Sequence, residues 1–274
     1  MATEEIKLLQ WNEEWLQKDN NEPDEEEWDP EDHDLEFKCT QVFFQQGTSL
    51  FTATTNERES ALATMDLSTL ERTRIPLSEV YPPNEEKYTV APDPLPEGVY
   101  IQRPDFTHYR STGDQSWLAD RLLKNVRVYE IVKADPHPNF AQYHGVIVED
   151  GYVTGIALKE HDMVLGDRVD QGLVSMKDGF DYYTGIEGAI RHLHKHGLTH
   201  GDVHTYNVMI DGPTAVLVNF DDSKMLDTPI GRDGTAAMWV TEGLQREAAV
   251  KDFEGLKEVK SAVNYLNWKW DTAV

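Results

Sequence analysis

The octapeptide HGDVHTYN, His200 to Asn207, sets an acid, an amide and two imidazoles in a short polar loop. A turn there leaves the carboxylate of Asp202 free to accept a proton from an incoming hydroxyl. Asn207, further along the same loop, returns an amide oxygen suited to a hard cation. The next runs, VMI and AVLV, are split by Asp211-Gly212-Pro213 and form a hairpin that brings residue 219 back beside them. An acid, an amide and a third oxygen ligand around a metal-bound phosphate are the equipment of phosphoryl transfer, which is mostly positioning and charge neutralisation. Position 219, however, is an asparagine where that chemistry is best served by a carboxylate. The bland alternative for Asp202 and Asn207 is turn capping, since both residue types favour turns.

The elements that must hold these groups follow from period and punctuation. FDYYTGIEGAIRHLHKHG puts Tyr183, Ile186, Ile190 and Leu193 on one helical face, with Gly197 placed to end the helix. VKDFEGLKEVKSAVNYLNW is a second amphipathic helix with Phe253, Leu256, Val263 and Leu266 inward. Upstream, FKCTQVFFQQGTSLFTATT reads as strands, and the proline-punctuated RIPLSEVYPPNEEKYTVAPDPLPEG as extended rather than helical. GVYIQRP is a strand. SWLADRLLKNVRVYEIVKAD is a helix with Leu118, Leu122, Val126 and Tyr129 on one face, stopped by Pro136 and Pro138. FAQYHGVIVEDGYVTGIALKEH is two strands joined at Glu149-Asp150-Gly151. The expected fold class is α+β, with a sheet-rich N-terminal lobe over residues 38–161 and a helical lobe over 162–274, linked near Lys159-Glu160-His161.

Residues 1–37 read as an acidic, disordered extension, most plainly in NEPDEEEWDPEDHD. Within it, TEEIKLLQWNEEWLQK is expected to form a short amphipathic helix anchored by Ile6, Leu9 and Trp15, either as part of a solvated tail or as a partner-docking arm. The whole chain has 274 residues, with 25 basic and 50 acidic side chains and a formal charge of −25. So acidic a surface repels nucleic acid and anionic membrane, and neither is expected as a partner. The single cysteine, Cys39, excludes an intrachain disulfide and fits a reducing compartment. With no membrane-length apolar run and no signal-peptide pattern at the N-terminus, the expected location is cytoplasmic or nuclear.

With these residues in view, the chain resembles the protein-kinase-like fold family. HGDVHTYN is similar to its catalytic loop, and the His-Gly-Asp start with a second histidine at 204 is similar to aminoglycoside and choline phosphotransferases. VNFDD resembles the metal-binding segment. PHPNFAQYHGVIVEDGYVTGIALKEH, IRHLHKHGLTHGD, GTAAMWVTEG and KDFEGL resemble, in order, kinase-like proteins expanded in filamentous fungi, over roughly residues 75–268. The resemblance implies a two-lobed fold with ATP and Mg2+ as cofactors. It implies Asp202 as catalytic base, His200 as the histidine organising the loop, and His204 beside them. Asn207, Asn219 and Asp221 fall at the metal. Gln102, Arg103, Glu130 and the link Lys159, Glu160 and His161 fall at the nucleotide. Asp252, at the start of a helix, is the buried acid that hydrogen-bonds the loop backbone. The last matching element is the long central helix, so the helical lobe reads as reduced; a small or atypical substrate, or none, fits that, and a truncated relative is the alternative.

Three departures cut against activity. Asn219 stands in place of the metal-binding aspartate, and losing one partner of a buried charge pair costs about 3–5 kcal/mol. Carried wholly by the transition state, that is about two to four decades of rate; Asp221 or Asp222 offers partial compensation. Gln102 replaces the strand lysine, and Arg103 next door points to the opposite face. Glu130, the nearest candidate for its helix partner, is not at the usual spacing from His137. FFQQGTSLF has one glycine, Gly47, where the fold usually has several. Gly201 in place of arginine removes only a link to a phosphorylated segment. The expectation is therefore ATP- and magnesium-dependent transfer to a hydroxyl, weakened or lost through Gln102 and Asn219, with a non-catalytic pseudokinase scaffold as the alternative. His192 and His196, one helical turn apart, have zinc-like spacing, although a helix C-terminus also favours basic side chains. Ser223 and Thr235 lie in the activation-segment equivalent.

Overall fold

The computed structural model describes residues 5–17, 35–107, 109–110, 116–225 and 244–271. The acidic stretch 21–34, the GTAAMWVTEG segment and Thr235 lie outside the described residues. The architecture is mixed α+β, sheet-rich toward the N-terminus and with fewer helices, consistent with a kinase-like α+β fold. No helix among the described residues is long and apolar enough to cross a membrane. Contacts divide the chain into one unit of residues 1–81 and 104–119 and another of 82–103 and 120–274. The strand GVYIQRP and the hairpin after the first long helix therefore group with the C-terminal half, not with the strands of residues 37–55.

The first unit is a four-stranded antiparallel sheet of β1 (Ile6–Gln17), β2 (Leu35–Gln46), β3 (Ser49–Thr55) and β4 (Arg72–Ile75), in that order. Residues 6–17 are thus neither a helix nor part of a disordered tail. Pairing with β2 overrides the local helical pattern, as sheet context often does. A register shift between Leu8 and Gln10 explains why the sequence shows no clean alternation. Before the shift, Ile6 and Leu8 pack on the buried cluster of Val42, Phe44, Ala53, Leu62 and Leu67. After it, Gln10 and Asn12 turn to the other face and bond to residues 105–107. There Phe43 stacks on Phe106 at 4.9 Å. Two one-turn helices, α1 (Glu59–Leu62) and α2 (Leu77–Val80), complete the unit; α2 interrupts the segment expected to be wholly extended.

In the second unit β5 (Val99–Gln102), β6 (Tyr143–Glu149) and β7 (Tyr152–Lys159) form an antiparallel sheet of order β5-β7-β6. The Asp150-Gly151 turn joins β6 to β7 with φ of 50° and 81°, which the hairpin's twist requires. Residues 82–91 run along this hairpin as a strap, with Ala91 donating to the Val146 carbonyl and Val146 to that of Thr89. Gly145 permits this approach: its φ is 138°, and a Cβ there would stand 2.4 Å from the Ala91 nitrogen. Helix α3 (Trp117–Ala134) buries Leu118, Leu122, Val126 and Tyr129, the face read from its spacing.

The helical part begins with β8 (Met163–Val164) and α4 (Leu165–Asp170), followed by α5 (Met176–Lys195), capped by a reciprocal Ser175–Asp178 box. Ile186, Ile190 and Leu193 are buried as expected, but the tyrosine they bring inside is Tyr182 rather than Tyr183. Gly197, with φ 70°, ends the helix. Then come β9 (Leu198–Thr199), β10 (Val208–Asp211), β11 (Thr214–Leu217) and β12 (Lys224–Met225). Helix α6 (Leu244–Asp271) packs on α5 with Leu256, Val259 and Val263 buried. Phe253 is half-buried, and the side chain of Leu266 lies outside the described residues.

Candidate active site

The loop of residues 200–207 is held from below by one carboxylate. Asp252 is fully buried on α6, well past the first turn rather than at the helix start. Its Oδ2 accepts from the His200 backbone N–H at 2.9 Å and from His194 Nε2 at 2.7 Å, and its Oδ1 accepts from the Gly201 N–H at 2.7 Å. Gly201 matters more than the sequence suggests: its φ is 86°, and a Cβ would sit 2.3 Å from the Asp222 carbonyl oxygen. Arginine at that position would break the loop's closure, whatever its charge did.

His200 is fully buried and acts within the loop. Its Nδ1 accepts from the Asp202 N–H, so the proton sits on Nε2, which donates to the Val218 carbonyl at 3.0 Å. Burial pushes its pKa down, as it does for His137 and His161. The unfolded chain takes up protons on these imidazoles near pH 6.5 while the folded chain resists, so stability falls as pH drops below about 6.5. The urea midpoint should therefore decrease between pH 7 and pH 5, measured at about 0.5 M salt to screen the chain's acidic self-repulsion. A midpoint unchanged over that range would count against neutral burial of the three.

Asp202, Asn207 and Asn219 come together. The Asp202 side chain is 40% exposed, and its Oδ2 receives Asn207 Nδ2 at 2.9 Å and His204 Nε2 at 3.2 Å. His204 also caps the following one-turn helix through Nδ1, which fixes its ring. Antiparallel β10 and β11 then return the chain so that Val218 donates to the Asn207 carbonyl. Asn219 follows in the left-handed region, φ 65°, which asparagine tolerates. Its Nδ2 donates to Asn207 Oδ1 at 3.1 Å, and its Oδ1 accepts from the Asp221 N–H.

Asp221, expected at the metal, is committed elsewhere. Arg121 and Asn125 on α3 each hold one of its oxygens at 2.5 Å. Asn125, fully buried, also accepts from the Phe220 N–H at 2.8 Å. Phe220 is buried edge-on to Tyr129, with ring centroids 4.9 Å apart. Sequence reasoning did not single out Arg121 or Asn125. The signal was an amide standing among the apolar positions Leu122, Val126 and Tyr129 of one helix.

Most residues assigned to the nucleotide are not gathered with this group. Gln102 ends β5 opposite Ile156. Arg103 donates to the Thr154 carbonyl at 3.2 Å. Glu130 does not meet either of them: its carboxylate is taken by the N–H and hydroxyl of Thr89 and by the Tyr143 hydroxyl, so it ties the strap to α3. Lys159 forms an ion pair with Asp211 at 2.7 Å, and Glu160 donates its N–H to the Gly98 carbonyl. The buried ring nitrogens of His161 have no hydrogen-bond partner. A cavity of about 350 Å3 is lined by Lys133, His137, Tyr143, Lys159, His161 and Asp211, among others, and not by Asp202, Asn207 or Asn219.

Magnesium binds through one or two carboxylates and phosphate oxygens in strict octahedral geometry. The pair at 207 and 219 does not fit it as arranged, because an amide N–H2 faces the amide oxygen that the ion would need. What the group does is hold the Asp202 carboxylate in a fixed orientation.

No family model matches the chain. A protein of Acanthamoeba polyphaga mimivirus named "Putative serine/threonine-protein kinase" is 29% identical to it over 90 residues, which make up 33% of this chain. The match covers 16% of the viral protein. At that distance the comparison supports a kinase-like relationship.

Proposed function

We propose that this chain is a protein-kinase-like domain that binds ATP, with Asp202 as base for phosphoryl transfer to a hydroxyl, and in which transfer is weakened or lost at Asn219 and Gln102. The observation that carries the reading is the contact between Asn219 Nδ2 and Asn207 Oδ1. The base is oriented by His204 and Asn207 on a loop braced by Asp252, while the neighbouring position offers a donor where an anionic acceptor is needed. Bound magnesium would supply charge neutralisation at the phosphates, and Asn207 and Asn219 must part before they could serve it. A small-molecule or protein hydroxyl is the acceptor class; the acidic charge argues against nucleic acid or anionic membrane as partner.

A second reading, a pseudokinase acting as a binding or scaffold module, is favoured by the engagement of Asp221 with Arg121 and Asn125. Thermal denaturation with ATP, in EDTA and in magnesium, separates the two. A ligand at a hundred times its Kd stabilises by about 2.7 kcal/mol. Millimolar ATP should raise Tm, with little extra from magnesium. No shift with ATP in either condition would remove nucleotide binding and leave the scaffold reading.

A further inference from the structure

Helix α5 ends in three histidines that face two ways. His194 turns toward Asp252, whereas His192 and His196, one turn apart, face the end of α3 and Asp135. We propose that His192, His196 and Asp135 form a zinc-binding site, with two imidazole nitrogens and one carboxylate oxygen as ligands and water in the fourth position.

The distances fit the ion. Asp135 Oδ2 lies 2.9 Å from His196 Nε2 and 3.7 Å from His192 Nε2. The three ligand atoms all lie within 4.8 Å of one another. Tetrahedral zinc, with bonds of about 2.0–2.1 Å, sets its ligand atoms roughly 3.3 Å apart, between the two values found. The donor set favours zinc and its late first-row neighbours over calcium and magnesium, which take oxygen ligands. Asp135 contributes a carboxylate oxygen, which ligates in its ionised form. Its side chain is 44% exposed, that of His196 26% and that of His192 11%, so the cluster is open to solvent on one side. Three protein ligands and one open position is the arrangement of exchangeable rather than closed zinc sites.

The metal-free cluster is self-sufficient, and zinc must compete with it. Lys195 Nζ reaches Asp135 Oδ2 at 3.0 Å, and His192 Nε2 donates to the Asp135 carbonyl at 2.7 Å. Zinc would expel the ammonium, displace the His192 and His196 Nε2 hydrogen bonds to Asp135, and require the proton of each imidazole on Nδ1. Lys195 is 44% exposed, so returning it to water costs little. In exchange the ion would cross-link the end of α3, the helix that holds Asp221, to the end of α5, which leads into the loop of Asp202. The site does not depend on the kinase-like reading, and its test does not use activity.

The test is titration of the metal-free full chain with ZnCl2 against a chromophoric chelator, with thermal denaturation and CoCl2 substitution alongside. One equivalent should bind and raise Tm, and cobalt should give the intense visible absorption of four-coordinate geometry. His192→Ala and His196→Ala should each weaken binding at least about tenfold, since each removes a ligand. Lys195→Ala should bind zinc more tightly, because it removes the competing cation. Absence of stoichiometric binding, a six-coordinate cobalt spectrum, or full affinity retained in His196→Ala would overturn the site. Should the histidine variants fail to fold, Lys195→Ala decides: zinc binding unchanged or weaker in that variant also overturns it.

Discussion

Replacing Asp252 with asparagine should cost about 3–5 kcal/mol, the usual loss when a buried charged partner is removed from its hydrogen bonds. The substitution keeps the side chain's size, so the effect reads chemistry rather than a cavity. Three donors converge on the carboxylate: the backbone N–H groups of His200 and Gly201, and His194 Nε2. An amide oxygen in the Oδ2 position satisfies two of them, but its NH2 then faces the Gly201 N–H. Flipping the amide leaves two donors unsatisfied instead. Each buried donor left without an acceptor costs about 1–3 kcal/mol. For a chain of this size the loss corresponds to roughly 6–20 °C in Tm. Urea denaturation of Asp252→Asn beside the native chain measures it directly. A loss under about 1 kcal/mol would mean that the loop of Asp202 is braced by something other than this carboxylate.

How much of this was legible in advance depends on where each element finds its partners. The faces of α3 and α5 could be read because their burial is set by a period within one segment: Leu118, Leu122, Val126 and Tyr129 on the first, Ile186, Ile190 and Leu193 on the second. The hairpins at Asp150-Gly151 and Gly212 announced themselves by turn chemistry. Strand β1 could not be read that way, since its identity is decided by pairing with β2 across the acidic stretch, and its bulge at Leu8/Gln10 erased the alternation. The convergence of 202, 207 and 219 followed from a loop and a hairpin that are local in sequence. The groups around them were not local. Asn125 and Arg121 reach Asp221 from nearly a hundred residues away, and Glu130 was drawn to Thr89 by a strap that only Gly145 permits. A carboxylate's type suggests a role, but its role is taken by whichever donors the fold delivers first.

The same logic sets the second large effect, Asn219→Asp. The substitution replaces the amide donor by a second acceptor 3.1 Å from Asn207 Oδ1, and Asn207 is itself in contact with the Asp202 carboxylate. In EDTA the loss of that hydrogen bond and the new like-charge neighbour should lower stability by about 1–3 kcal/mol. With magnesium the sign should reverse, because an ion gathers oxygens that otherwise repel, and a cation bound only to the folded state stabilises it by mass action. The left-handed backbone at 219 is no obstacle, since aspartate tolerates it nearly as asparagine does. If transfer to a hydroxyl is limited at this residue, the variant should also gain about two to four decades in γ-phosphoryl turnover, the rate equivalent of a restored charge pair of about 3–5 kcal/mol. Magnesium-dependent stabilisation without turnover would move the defect to Gln102 and to Asp221, whose oxygens Arg121 and Asn125 already hold. A variant as indifferent to magnesium as the native chain would show that the amide pair does not guard a metal position, and the scaffold reading would then stand in place of weakened catalysis.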